Sequence, residues 1–231
     1  MKPINRTQDF FSTQTKLQQS ELNFALENPY LLSARVGNRL WIKKGTMAAF
    51  KGGVRLRREG LFDRGFGLWL KRVTIGEGIK LTKAEGTGEI FLADQGKQIT
   101  LIELEDESIV INGNNLLMLE DTLAYRIKRL KKISTLVAGG IYSLTLSGVG
   151  FFAITTYQQP LCIAVSPTEP VVTDPNCTVG WSSGLEPKIS TDQSWNSLLS
   201  RSHGDLLRMT FEGEGFVLLQ PYEELHFIQK Y

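Results

Sequence analysis

Gly148-Val149-Gly150-Phe151-Phe152-Ala153-Ile154 decides how the chain is read, because its form returns twice. Gly86-Thr87-Gly88-Glu89-Ile90-Phe91-Leu92 lies 62 residues before it and Gly213-Glu214-Gly215-Phe216-Val217-Leu218-Leu219 lies 65 after it. Each is a glycine pair followed by an apolar run. Glycine reaches positive φ without penalty, so Gly86, Gly88, Gly148, Gly150, Gly213 and Gly215 mark places where a strand bulges or another backbone comes close. Ahead of the second pair Tyr142, Leu144 and Leu146 alternate with Ser143, Thr145 and Ser147; ahead of the third Leu207, Met209 and Phe211 alternate with Arg208, Thr210 and Glu212. That period of two is the signature of half-buried strands. Ahead of the first pair Ile79 and Leu81 are one residue out of step, which predicts a bulge or a looser strand. Gly148, Gly150 and Ala153 also fit the dinucleotide fingerprint, but that loop needs a helix to open at the glycines. Phe151 to Tyr157 is β-branched and aromatic, and Pro160 follows, so the structural reading prevails.

With the glycine pairs aligned, three units appear, about 30–93, 99–156 and 161–220, inside a single β domain of residues 21–231 behind a polar tail, 1–20. The first unit predicts strands over 31–36, 39–43 and 47–50, with turns at Gly37-Asn38 and Lys44-Gly45-Thr46. The second predicts 99–104, 109–111, 116–119 and 123–126, turning at Asn112-Gly113-Asn114 and Glu120-Asp121-Thr122. The third predicts 161–165, 171–173 and 177–181, turning at Ser166 to Pro170 and at Asp174-Pro175-Asn176, where Asp174 reads as a turn former. An insertion precedes each glycine strand. In the second, Ile127, Leu130, Ile133 and Val137 recur at helical spacing before Gly139-Gly140; in the third, Asp192 caps a short helix carrying Trp195, Leu198 and Leu199. The expected class is all-β, built from three internal repeats of antiparallel strands with short helical insertions.

The 231 residues, 42% hydrophobic and 22% charged with a net charge of +2, fit an ordinary globular chain and imply no special partner. Cys162 and Cys177 sit in no metal or redox spacing and read as buried thiols of a reducing compartment. The N-terminus lacks the apolar core of a signal peptide. Ile133 to Gln159 is uncharged and follows a basic run, as a membrane span would. Its seven Ser or Thr residues and its alternation favour a strand instead.

Enzyme chemistry has little to work with. His203 and His226 have no metal-ligand neighbour at a usable spacing, and neither a nucleophile elbow nor a P-loop is present. No catalytic, cofactor-binding or metal-binding residue is expected. Charge placement says more. From Arg35 to Arg72 eleven Lys or Arg face two acids, and Arg126 to Lys132 holds five without an acid. Arg55, Arg57 and Arg58, with Arg126, Lys128, Arg129, Lys131 and Lys132, are the candidate binders of an anionic surface. The bland alternatives are a solvated face or a contact between subunits. Apolar residues interleaved with the first run, among them Leu56, Leu61 and Trp69, favour lipid over RNA, which needs exposed aromatics to stack on.

Leu104 to Leu123, Val171 to Leu185 and Phe211 to Glu224 resemble the altered-inheritance-of-mitochondria family, and Phe24 to Tyr30, Trp41 to Gly45 and Lys83 to Gly86 are similar to its bacterial branch. The resemblance spans about residues 21 to 228. It implies a double-stranded β-helix fold similar to the tryptophan RNA-binding attenuation protein, and self-assembly into a small ring, a trimer being one such state. It carries no catalytic residue with it. The family's mitochondrial members are associated with organising the inner membrane, and the absence of a transit peptide here makes any such role analogous. The resulting expectation is a non-enzymatic, cytoplasmic, oligomeric scaffold or interaction protein, peripheral to the inner face of the membrane, with a small-ligand or RNA-binding β protein as the alternative.

Overall fold

The computed structural model describes residues 23–37, 39–58, 79–130, 142–191 and 207–222. These residues form strands and connecting turns, and no helix occurs among them. The first third holds β1 (Phe24–Asn28), β2 (Leu31–Val36), β3 (Leu40–Lys43), β4 (Met47–Gly52), β5 (Arg55–Arg58), β6 (Leu81–Glu85) and β7 (Gly88–Leu92). The middle third holds β8 (Gln98–Asn112), β9 (Leu116–Glu120), β10 (Ala124–Arg129) and β11 (Tyr142–Thr156). The last holds β12 (Leu161–Val165), β13 (Val171–Thr173), β14 (Thr178–Ser182), β15 (Lys188–Thr191), β16 (Leu207–Phe211) and β17 (Gly215–Leu219). They make three sheets: β1-β2-β7-β4, then β12-β17-β14-β8-β11-β9-β3-β6-β5 with β10 also on β11, then β13-β16-β15. All the pairings are antiparallel, and the sheets do not close into a barrel.

The strand after each glycine pair lies between two others: β7 between β2 and β4, the end of β11 between β8 and β9, and β17 between β12 and β14. The strand before each pair is likewise central: β6 between β3 and β5, the start of β11 between β8 and β10, and β16 between β13 and β15. The connecting turns agree as well. Thr46, Asn115 and Cys177 donate their amides to the carbonyls of Lys43, Asn112 and Asp174 at 3.3, 2.9 and 3.1 Å. Asp174 Oδ1 accepts the Asn176 amide at 2.7 Å, the local bond that makes such a residue a turn former. A β-bulge passes over one residue at the same point of β4, β9 and β14, namely Ala48, Leu117 and Val179.

The first glycine of each pair has φ of +108° (Gly86), +110° (Gly148) and +119° (Gly213), a conformation that residues with an L side chain adopt only under strain. The second glycine is a close approach. A Cβ on Gly150 would run into Thr122 Oγ1, and one on Gly215 would come within 2.7 Å of Ser182 Oγ. Chain continuity through the pair differs: β11 runs unbroken across Gly148 and Gly150, whereas the first and third copies split into β6 and β7 and into β16 and β17.

Apolar side chains fill three clusters along this array. Leu32, Ala34, Ile90, Leu92 and Leu117 pack in the first, Leu119, Leu144, Leu146, Phe152, Ile154 and Val179 in the second, and Trp181, Met209, Phe211 and Val217 in the third. Leu117 and Val179, pushed out by their bulges, therefore each enter the cluster built mainly by the preceding third of the chain.

Several expectations need correction. The start of the helix drawn through Ile127, Leu130, Ile133 and Val137 is instead strand over Ala124–Arg129, because residues 142–147 offer it a partner and Tyr125 and Ile127 turn inward at period two; Ile133 and Val137 lie outside the described residues. The two strands expected at 99–104 and 109–111 are one strand, β8, whose acidic middle forms a bulge with Asp106 at φ +61°. Cys162 is exposed on edge strand β12 and Cys177 is half-buried, so neither is a buried thiol, and they are not bonded to each other. The Asp192 helix, the end of the first insertion, Lys131, Lys132, His203 and His226 lie outside the described residues. Among the described residues no helix is long and apolar enough to cross a membrane.

Candidate functional site

The basic segments singled out in the sequence become edge strands. Arg55, Arg57 and Arg58 lie on β5, which among the described residues ends the long sheet and pairs only with β6. Arg126, Lys128 and Arg129 lie on β10, which among the described residues pairs only with β11. These two strands occupy the same place in successive thirds of the chain, outside the strand that leads into the glycine pair. Arg55, Leu56 and Arg57 are exposed, as are Arg126 and Lys128. Alternation explains β10: Tyr125 and Ile127 pack against the second apolar cluster, which leaves Arg126 and Lys128 on the outer face.

Beside β5 several charges gather on Glu85 of β6. Lys83 Nζ lies 2.8 Å from Glu85, Arg39 Nε 3.6 Å and Arg57 Nε 3.7 Å. The hydrogen bond from Lys83 and the three positive charges together hold the Glu85 carboxyl below its ordinary range, against a smaller opposing effect of burial. Arg39 also lies 3.9 Å from Asp121, so three cations share two carboxylates, and Arg55 on the same edge adds a further positive charge. Lys83 itself is buried and sits 5.6 Å over the Trp41 ring, whose Nε1 donates to Asp121 at 2.9 Å. On β10 the Lys128 ammonium meets Glu186 at 2.6 Å, an exposed pair that ties the middle third of the chain to the last.

A second polar group, not foreseen in the sequence, gathers where the glycine strands end. Asp94 is buried, and its Oδ2 accepts from Lys43 Nζ and from Thr155 Oγ1, each at 2.8 Å. Lys43 also donates to the Asn114 carbonyl at 2.7 Å. Asn115 and Thr155 exchange two bonds, side-chain Nδ2 to carbonyl at 2.8 Å and amide to carbonyl at 2.7 Å. Lys97 is buried with its Nζ 4.8 Å from the centre of the Tyr157 ring. Burial alone would raise the Asp94 pKa. The charge and hydrogen bond of Lys43, the Thr155 hydroxyl and the charge of Lys97 outweigh it and hold the carboxyl below its ordinary range. Nearby, Gln220 Oε1 accepts the Tyr157 amide at 3.2 Å, while Gln220 Nε2 and Thr156 Oγ1 are buried with no hydrogen-bond partner among the described residues.

The arrangement holds charges in fixed places. No group of three or more potential metal ligands occurs among the described residues. The six glycines are brought to the equivalent strand junctions, while of the eight basic residues only Arg55, Arg57, Arg126 and Lys128 have described side chains. The signal for the Asp94 group was present only as isolated polar residues at strand ends.

The fold is shared with a crystal structure of a protein from Streptococcus pyogenes, at a TM-score of 0.67 and 20% identity, covering 87% of this chain and 92% of that one. No curated protein matches the chain. A family model does match, over residues 28–222, a span that opens at the end of β1 and takes in every glycine pair, the two basic edges and the Asp94 group. The chain belongs to the family described as Mitochondrial biogenesis AIM24.

Proposed function

We propose that the protein is a non-enzymatic, oligomeric interaction scaffold that uses its basic sheet edges to hold an anionic membrane surface. The observation that carries this reading is the repeated placement of Arg-rich and Lys-rich edge strands, β5 and β10, with Arg55, Arg57, Arg126 and Lys128 exposed. Leu56 is exposed on β5 as well, its side chain alternating with those of Arg55 and Arg57 and so lying on the other face of the strand. A lipid surface suits this pattern better than RNA. Among the described residues the exposed aromatics Tyr30, Phe50 and Tyr222 are not on β5 or β10, so neither basic strand itself carries an exposed aromatic for bases to stack on. Binding of this kind is electrostatic and fades with salt.

Sedimentation with anionic and with neutral liposomes across a salt series tests it. Wild-type protein is expected to pellet with anionic vesicles at low salt and to be released as salt rises. Arg55→Glu/Arg57→Glu and Arg126→Glu/Lys128→Glu should each weaken pelleting and together abolish it, with the circular dichroism spectrum unchanged. Equal binding of the fourfold variant would overturn the reading.

A further inference from the structure

The same pairing scheme runs through the chain three times, but one of its junctions is missing. β3 of the first third pairs with β9 of the second, in the register Leu40↔Glu120, Trp41↔Leu119, Ile42↔Met118. β8 of the second third pairs with β14 of the third, in the register Ile109↔Ser182, Val110↔Trp181, Ile111↔Gly180. The turns and bulges align the three thirds residue by residue, so Ile42 and Ile111 correspond to Thr173, and Met118 and Gly180 correspond to Ala49. A third junction would therefore join β13 to β4 as Val171↔Lys51, Val172↔Phe50 and Thr173↔Ala49. It does not form within the chain: β4 is an edge of the first sheet, β13 an edge of the third, and neither pairs with the other.

The side chains record the missing contact. At the two formed junctions the central pairs, Trp41 with Leu119 and Val110 with Trp181, are buried. Their counterparts Phe50 and Val172 are 47% and 55% exposed. The bulge residues Leu117 and Val179 are fully buried in the cluster of the preceding third, while Ala48 is exposed. Strands β9 and β14 are buried through their first four residues, and β4 is exposed along its whole length although its first four residues are the apolar Met47-Ala48-Ala49-Phe50. Edge strand β12 is exposed too, but its counterparts share no strand partner on that side: β2 is covered by β1, while among the described residues 98–103 of β8 have only the bond from the Ile99 amide to the Pro29 carbonyl, so the repeated scheme supplies no strand for β12.

We propose that β4 of one copy receives β13 of a second copy, forming the third junction between molecules. The donor is not an arbitrary strand. It occupies the place of β3 and β8, which make this contact twice within the chain in one register, and antiparallel addition to an open edge satisfies both backbones. Ala48 then enters the last-third cluster of the second copy, around Phe211 and Val217, as Leu117 and Val179 do within the chain. Because β4 meets β13 rather than itself, the contact is heterologous, and copies add head to tail into a ring or an open filament according to the rotation between them. Three paired residues make a small contact, so association rises with concentration. The inference rests on the oligomeric part of the proposed function and not on its lipid part, so failure of one leaves the other standing.

The test uses full-length protein carrying Cys162→Ser and Cys177→Ser, to which Phe50→Cys or Val172→Cys is added. Residues opposite each other in an antiparallel pair have Cα atoms about 4.5–5.5 Å apart, within disulfide reach. Mild oxidation of the two variants mixed together should give a disulfide-linked dimer, each variant alone should stay largely monomeric, and the doubly substituted chain should give a ladder. A link formed only within the doubly substituted chain, equal dimers from each variant alone, or no link at all would overturn the proposal. By sedimentation velocity the unmodified protein should grow in mass with concentration, and Ala48→Glu and Phe50→Glu, folded as judged by circular dichroism, should not. Unchanged association in both variants would also overturn it.

Discussion

Replacing Gly148 and Gly150 one at a time by alanine separates two demands that the glycine pair makes on the fold. Gly148 has φ +110°, and a Cβ there would meet nothing nearer than the Thr122 carbonyl oxygen at 3.7 Å. Gly148→Ala therefore tests backbone conformation alone, worth about 1–3 kcal/mol when a non-glycine residue is forced into such a region. Gly150 has φ +149°, and its Cβ would strike Thr122 Oγ1 and approach Glu120 Oε2 at 3.0 Å and Leu123 at 3.4 Å. Overpacking of that kind adds about 1–3 kcal/mol, so Gly150→Ala should cost clearly more than Gly148→Ala. For a chain of this size each kcal/mol lowers Tm by about 2–4 °C. Urea titration is the better assay, since an unchanged slope with a lower midpoint assigns the loss to the native state. Glu120 supplies a control, because its Oε2 accepts the Phe151 amide at 2.9 Å and would be displaced by the new methyl group. In the Glu120→Ala background the Gly150→Ala cost should shrink, a coupling that a double-mutant cycle measures. A Gly148→Ala variant within about 0.5 kcal/mol of wild type would refute the conformational argument. Equal costs at the two positions would refute the packing argument.

Asp94 predicts a pH dependence. Its folded pKa lies below the unfolded value of about 3.9, so its contribution to stability is complete above that value and is lost as pH falls through the folded pKa. Asp94→Asn should lower stability by about 1–3 kcal/mol at neutral pH, by removing the anion facing Lys43, and should flatten the loss of stability below about pH 4; an acid limb as steep as wild type's refutes this. Ser182 Oγ accepts the Phe216 amide at 2.8 Å beside the third glycine pair, so Ser182→Ala should cost about 1 kcal/mol, read from the urea midpoint, and no change would show that the amide finds another acceptor. Phe152 is fully buried in the second cluster, and Phe152→Ala should cost about 3–5 kcal/mol, with a smaller loss showing that neighbouring side chains collapse into the space.

What the sequence disclosed followed from which residues have only one physical use. Glycines spaced as Gly86-Thr87-Gly88 leave few readings, and the strict alternation of Leu207 to Phe211 could be nothing but a strand. Strand β10 was foreseen only to Arg126, because beyond it Ile127 and Leu130 satisfy a helical period, while Tyr125 and Ile127 satisfy the strand period; the partner strand, 142–147, breaks the tie, and it lies across residues that no local rule connects. Strands β1 and β15, Phe24–Asn28 and Lys188–Thr191, are short edge segments whose pattern is too brief to register. Glu105-Asp106-Glu107 looked like a break because acids disfavour strands, yet the extra residue is absorbed by a bulge at Asp106 and β8 continues. The Asp94 group was beyond reach for a different reason. Lys43 and Asp94 are 51 residues apart and Asp94 and Thr155 are 61, so their meeting depends on the register of strands rather than on any spacing.

The sheet edges connect these observations. Every open edge is a row of unpaired amides and carbonyls that invites another strand, and a protein can charge it, cover it or use it. Strand β1 covers β2, and Arg and Lys charge β5 and β10. Had the basic strands served only as protection, the apolar strand β4 would need the same treatment, yet the one charge on it, Lys51, is drawn 2.6 Å from Glu89 on the neighbouring strand. Charge thus stands on β5 and β10, edges that corresponding strands leave open, and is neutralised on β4, an edge that corresponding strands fill, although the open edge β12 is apolar as well. That division separates the two proposed contacts: β5 and β10 are built to stay wet beside other charges, while β4 is built to be covered by a strand like β13.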